Sequence, residues 1–292
     1  IEIVVTGKCG FTASKKFKIS FSQIPALTNS HTEQYICSGE KFADIIPESN
    51  MNNISYKWDV EKSSAINATM DSGTGNIIEG MNLTNTSDSV AFVKYIITPK
   101  SNTCDGQPVV FTIFVCPEIN VEQPNDLILN NKQRSNAIEF KANVKDLIID
   151  YYWTCDRSDI GLAASGTGNI PAFEATNNSN EALTATITVY PKIVNNNYNC
   201  DGIAQSFKIT ILPEVEVNVI QDYTLCNKQI FDSLKFTTNN TDGNTRYEWT
   251  NTNSEIGLAS SGTDYIPSFY AKNNTDSTIH ATISVTATYN YL

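Results

Sequence analysis

The chain has 292 residues, 20 Lys and Arg against 31 Asp and Glu, and a net charge of −11. That balance argues against a nucleic-acid backbone or an anionic lipid surface as partner, because both are bound by clustered basic side chains that displace counterions. No run approaches the roughly 20 apolar residues of a membrane span, and the opening IEIVVTGKCG lacks the basic start and cleavage site of a signal peptide, so targeting signals are expected outside these residues. Only 17% of residues are charged. Asn, Thr and Ser fill the other polar positions, so the surface is expected to be polar mainly through amides and hydroxyls.

In chain order, the first segment reads as the end of a repeat: CGFTASKKFKISF from Cys9 corresponds to CDGIAQSFKIT from Cys200. Residues 1–22 are therefore assigned to the C-terminal strands of a preceding unit. A first full unit, 23–117, carries YKW ending at Trp58, SGTGNI from Ser72, VKYIITP from Val93 and FTIFVCP from Phe111. A second, 118–213, carries AIEFKA from Ala137, YYW ending at Trp153, IGLAASGTGNIPAF from Ile160, TATITVYP from Thr184 and FKITILP from Phe207. The third, 214–292, carries SLKFTT from Ser233, YEW ending at Trp249, IGLASSGTDYIPSF from Ile256 and HATISVTA from His280, and stops before its own last strand. Ile160 and Ile256 lie 96 residues apart, as do Trp153 and Trp249. A slice of a longer tandem array explains both ends; strand addition to the truncated unit of a neighbouring chain is the alternative.

The segments alternate with period two, Gly, Asn, Asp and Pro interrupt them at short intervals, and no stretch holds the 3.6-residue period of a helix. Roughly seven short strands per unit, with one Trp on an early central strand, predict an all-β fold. The expectation is tandem immunoglobulin-like sandwiches in an elongated rod, each unit adding roughly 30 to 45 Å, with Trp58, Trp153 and Trp249 as core anchors. Pro and β-branched residues in the joints predict a semi-rigid array. SGTGNIP reads as a turn whose glycines supply positive φ; it carries no Lys and opens no helix, so it is no phosphate cradle.

Seven cysteines stand at 9, 37, 104, 116, 155, 200 and 226. Within the first unit this spacing suggests a disulfide between Cys37 and Cys104, with Cys226 awaiting a partner beyond Leu292 and Cys9 one before Ile1. The second unit has Asn130 where the first cysteine is expected, so Cys200 is left free or paired with Cys155 or Cys116. A disulfide framework implies an oxidising compartment. No Cys-x-x-Cys or calcium-loop spacing occurs, so no metal site or cofactor is assigned. The two histidines, His31 in NSHTEQ and His280 opening a strand, read as surface residues rather than as the base a nucleophile needs, and no catalytic residue is assigned. Tyr265 in its turn could stack on a sugar but reads more simply as packing.

The constellation YYWT, IGLAASGTGNIPAF, ATITVYP, CDG and SFKITILPEV resembles the PKD-like repeats of very large surface proteins of the Bacteroidota, nearest to gliding-motility adhesins of the SprB type. The second unit matches through nearly its whole length and the third until it ends, while the first lacks the IGL and Pro elements. The resemblance implies a non-catalytic segment of a cell-surface adhesin filament, exported by type IX secretion, attached at the outer membrane and supporting surface attachment and gliding. Its implied partners are neighbouring repeats, surface polysaccharide or substratum, and gliding or secretion machinery reached through other regions. It also implies O-glycosylation at Asp-Ser-apolar or Asp-Ser-Thr sites, here Ser89, Ser233 and Ser277. The competing reading is a spacer or carbohydrate-binding accessory module of a secreted polysaccharide-degrading protein.

Overall fold

The computed structural model describes residues 2–6, 9, 12–68, 72–195 and 197–291; the residues assigned to the preceding unit thus include five, at 1, 7, 8, 10 and 11, outside that set. The described residues are all-β apart from two three-residue 3-10 turns. They form two compact units: residues 1–120, 143–149 and 192–202, and residues 121–142, 150–191 and 203–292.

The first unit opens with an antiparallel hairpin of β1 (Glu2–Thr6) and β2 (Thr12–Lys16), in register from Glu2 opposite Lys16 to Thr6 opposite Thr12. Its main sheet contains β3 (Glu33–Ile36), β4 (Ser55–Lys62), β5 (Gly73–Thr74), β6 (Ala91–Lys100) and β7 (Val109–Val115), in the order β3-β7-β6-β4-β5. β3 runs parallel to β7, with Ile36 opposite Val115; the other pairs are antiparallel. The alternation read from the sequence sets the faces. Val93, Tyr95 and Ile97 of β6 and Phe111, Ile113 and Val115 of β7 point inward, onto Phe42, Ile45, Ile66, Ile78 and Leu83 of the facing layer. Burying each such Ile or Val contributes roughly 1.5–3 kcal/mol. That facing layer is pinned by single bridges, Lys41 to Asn82 and Ile45 to Ile78.

In the second unit, β8 (Leu127–Asn130), β9 (Asp150–Cys155), β10 (Ser165–Thr167), β11 (Leu183–Val194) and β13 (Gln205–Leu212) repeat that order as β8-β13-β11-β9-β10. β8 again lies parallel to β13. β12 (Asn199–Asp201) pairs with the end of β11, and this hairpin tip belongs to the first compact unit. The third repeat holds β14 (Ile230–Phe231), β15 (Leu234–Lys235), β16 (Asn244–Asn251), β17 (Ser261–Thr263), β18 (Tyr265–Ile266), β19 (Phe269–Tyr270) and β20 (Ile283–Asn290), with β16 between β17 and β20. Each repeat has its own hydrophobic cluster.

Two local expectations change. AIEFKA keeps its alternation, with Phe140 buried, but forms no continuous ladder: Ile138 bridges Ile170, and the Phe140 N–H donates to the Asn169 side chain instead of a strand carbonyl. The first glycine of SGTG is needed for space, not for positive φ. A Cβ on Gly73, Gly166 or Gly262 would sit 2.6, 2.3 or 2.5 Å from the ring of Trp58, Trp153 or Trp249, against which each glycine pairs. Positive φ falls two residues later, on Gly168 (φ 69°) and Asp264 (φ 65°). The IGL element ends a 3-10 turn, Ser158–Ile160 or Ser254–Ile256, on Gly161 (φ 91°) or Gly257 (φ 96°).

Candidate functional site at the repeat joints

The turn at Cys37, Asn130 and Cys226 is built alike three times, at the end of β3 and β8 in the first two repeats and just before β14 in the third. The N–H of Cys37, Asn130 or Cys226 donates to the side chain of Glu40, Gln133 or Gln229 at 3.0, 2.9 and 2.9 Å. The N–H of that third residue onward returns to the same residue's carbonyl at 3.1, 3.0 and 3.0 Å. Between them Gly39, Lys132 and Lys228 take left-handed φ of 88°, 65° and 69°. Two of the three turns thus present a cysteine at a fixed place.

Cys37 is bonded to Cys200, with the Cα atoms 5.6 Å apart, while Cys104 is a free thiol. This corrects the expected Cys37–Cys104 pair, and the register explains why. Because β3 runs parallel to β7, Cys37 follows the strand end beside Val115, whereas Cys104 precedes the opposite end of β7 at Val109. Seven residues of strand, about 20 Å, separate the two ends. The cysteine that reaches Cys37 comes instead from the β11–β12 hairpin of the second repeat, within the first compact unit. Cys116 and Cys155, the alternatives for Cys200, are buried free thiols.

Around this bond the packing is aromatic. Tyr198, buried beside Cys200 in sequence, meets Tyr35 edge-on with ring centroids 5.5 Å apart, and Tyr35 stacks on Phe114 at 5.0 Å. Burial raises the Tyr198 phenol above its ordinary range and pushes the Cys116 thiol up to about 11, so neither ionises near neutrality. Cys116 is thereby a packing thiol rather than a nucleophile.

A hydrogen bond recurs at the joints as well. The Lys145 N–H, in the loop before the second Trp strand, donates to the Asp88 carbonyl at 2.8 Å; the equivalent Thr241 N–H donates to the Asn180 carbonyl at 3.0 Å. The first is reinforced by the Lys145–Asp88 ion pair at 2.6 Å, which, with the Ser89 hydroxyl, holds the Asp88 carboxyl below the usual carboxylate range. The second is reinforced by Asp242, which accepts from the Ala182 N–H at 2.8 Å and the Tyr289 hydroxyl at 2.7 Å. Lys132 pairs with Glu214 at 2.6 Å, lowering the glutamate and raising the lysine.

The turns at Asp88 and Asn180 are themselves held by residues the sequence reading passed over. Asn85 and Asn177, each 2% exposed, donate from their amides to the carbonyls of Ser89 and Val115, and of Glu181 and Ile211. Each accepts in turn from the hydroxyl and N–H of Ser87 or Ser179. Asn273 repeats the pattern with Ser277 and Thr275. The signal was available as Asn-x-Ser/Thr at the same place in every unit; burial of the first two makes it an internal clamp.

Of the other singled-out residues, Trp153 and Trp249 are 4% and 2% exposed, whereas Trp58 is only partly buried. The Trp249 ring N–H donates to the Tyr265 carbonyl at 3.0 Å. Ser233 and Ser277 are exposed, while Ser89 is half-buried and donates to Asp88. His31 and His280 are both exposed. Among the described residues no group of three or more His, Cys, Asp and Glu converges as a metal site, and no described helix is long and apolar enough to cross a membrane. An open groove of about 600 Å³ runs past Glu122, Asp126, Arg134 and Lys141, with Leu127, Ile128 and Ile138 also on its walls.

Residues 34–119 match the family model described as a PKD-like domain. No curated protein matches the chain. Among solved structures, it is similar to human CDH23 EC21-23 at 12% identity, covering 87% of this chain and 91% of that one with a TM-score of 0.41. Drosophila N-cadherin EC1-4 follows at 10% identity, 99% and 82% coverage and a TM-score of 0.34. The first repeat, which holds the residues similar to a PKD-like domain, and the second share their strand order, turn and asparagine clamp.

Proposed function

We propose that the chain is a non-catalytic, load-carrying segment of a large repetitive cell-surface adhesin, made of the sandwich repeats 23–117, 118–213 and 214–292 after a terminal piece at 1–22. The observation that carries this reading is the recurrence of one joint contact, Lys145 to Asp88 and Thr241 to Asn180, each braced by a charged side chain. A chain that repeats its joints as faithfully as its cores is built to transmit position from one module to the next. The disulfide favours an extracellular setting.

Within this reading, the segment belongs to an outer-membrane-attached adhesin of the gliding type, exported by type IX secretion, with O-glycans on Ser89, Ser233 and Ser277. Labelling live cells with antibody fragments against these 292 residues tests it. Labels that travel along the cell support the gliding adhesin; static surface labels sink the motility part; absence of surface label sinks the whole reading. Intact mass of natively produced protein checks the sugars, and bare serines remove them.

A further inference from the structure

The outer face of the second repeat's sheet carries aromatic rings where the other two repeats carry charge. Tyr152 of β9 and Tyr190 of β11 are 43% and 44% exposed. Just past β9, the Asp156 N–H donates to the Thr186 carbonyl at 3.2 Å, and the Thr186 N–H donates to the Asp156 carboxylate at 2.7 Å. Carried back along the β9–β11 ladder, that register sets Thr154 opposite Thr188 and Tyr152 opposite Tyr190. The third repeat follows the same rule: the Thr252 N–H donates to the Thr282 carbonyl, and its ladder pairs Glu248 with Thr286 at the matching place. In the first repeat the matching pair is Lys57 with Thr98. Directly opposite residues share a face, so the two tyrosines stand side by side with Cβ atoms roughly 4.5–5.5 Å apart. Hydroxyl residues continue the patch. Thr167 of β10 lies opposite Tyr152, and Ser165 lies opposite Thr154. Thr188 lies opposite Ser206 of β13, their hydroxyl oxygens 2.9 Å apart. Ser165, Thr154, Thr188 and Ser206 thus form a row across four strands, about 14 Å long, one pleat away from the tyrosines. Neither row contains a charged residue, and the next one, Asp156, Thr186 and Lys208, carries one charge of each sign.

We propose that this face is a binding site for an uncharged polysaccharide, the two rings covering the C–H faces of its sugars and the hydroxyl row bonding their hydroxyl groups. The chemistry of the patch selects that occupant. A pyranose offers apolar C–H faces ringed by hydroxyls, which suits amphipathic tyrosine rings flanked by Ser and Thr. A charged polymer finds no countercharge in either row. An apolar protein surface would strip water from the hydroxyl row and return no hydrogen bonds. Because the side chains stand on paired strands, their spacing is set before a ligand arrives. The proposal rests on the adhesin reading for its biological role, to which it adds a ligand class and a place.

The test is affinity electrophoresis of the 292-residue chain through gels containing xyloglucan, mixed-linkage β-glucan, galactomannan or dextran, with alginate as the charged comparison, followed by calorimetric titration with each polymer that retards it. The expected result is saturable binding to at least one neutral polymer, weakened tenfold or more by Tyr152→Ala and by Tyr190→Ala. Tyr152→Phe and Tyr190→Phe are expected to retain it, and Tyr270→Ala, at an exposed tyrosine on β19, to leave it unchanged. Melting temperatures show whether the alanine variants fold, and Thr154→Arg, which sets a bulky charge in the hydroxyl row, is expected to weaken the same binding. Retardation by none of the four neutral polymers overturns the proposal. So does binding that the tyrosine variants leave intact, or that alginate alone supports. Self-association lost in Tyr152→Ala, without sugar binding, assigns the face to a second copy and overturns it as well. Surface labelling judges the adhesin reading separately: labelled cells without polysaccharide binding sink only this site, while binding without surface label sinks the adhesin and leaves the site.

Discussion

Gly166 and Trp153 show how one side chain sets the identity of another. The glycine lies directly opposite the tryptophan in the β9–β10 register, and a Cβ there would sit 2.3 Å from the indole ring. Gly166→Ala is therefore expected to destabilise the second repeat by about 1–3 kcal/mol through overpacking, read by urea unfolding followed by Trp fluorescence. Gly168→Asp is the control. That position has no atom within 4 Å of an added Cβ, and the third repeat already carries Asp264 there at φ 65°. The substitution is expected to cost well under about 1 kcal/mol, since Asp tolerates the left-handed region better than most residues. Asn177→Ala is expected to cost about 1–3 kcal/mol in the same assay, because it leaves the Glu181 and Ile211 carbonyls without their amide donor.

At the scale of elements, the β11–β12 hairpin ties its tip to the end of β3 by the Cys37–Cys200 bond, across a sequence separation of 163 residues. A loop of that length corresponds to about 5 kcal/mol of constrained unfolded-state entropy, an upper bound where the enclosed modules fold independently. Cys37→Ser and Cys200→Ser are each expected to lower the melting temperature as much as reductant does, and the double variant no further. The Lys145–Asp88 pair predicts a pH dependence with a definite sign. The folded-state pKa of Asp88 lies below its unfolded value, so its contribution is complete above the ordinary carboxylate range near pH 4 and is lost as pH falls through the lowered folded value. Lys145→Ala is expected to flatten that acid limb in pH-dependent unfolding and to lower stability near neutrality by the same amount, a small one because both side chains are largely exposed.

At the scale of the molecule, the three hydrophobic clusters are built from separate stretches of sequence, one per repeat. Modules with private cores are expected to unfold in more than one calorimetric transition, with a van't Hoff enthalpy below the calorimetric value. Coincidence of the two enthalpies would show instead that the joints couple all the modules into one cooperative system. Reduction is expected to move the transition that contains the first repeat most, since both disulfide cysteines belong to its compact unit.

The period, the β class, the alternation of faces and the tryptophan positions were legible in the sequence because each depends on local spacing: side chains alternate along a strand, and a repeat copies its core. The asparagine clamp was legible too, as an Asn-x-Ser/Thr 24 residues after Trp153 and Trp249 and 27 after Trp58, although its role depends on burial. The cysteine partner was not legible. Cys37 and Cys104 occupy one repeat and look complementary, but the parallel pairing of β3 with β7 puts them at opposite ends of the sheet. The need for Gly166 was hidden likewise, since a turn and a strand facing an indole ring read the same in one dimension. Sequence spacing determined which residues are equivalent; strand direction and register, which arise only when distant segments pair, decided which of them meet.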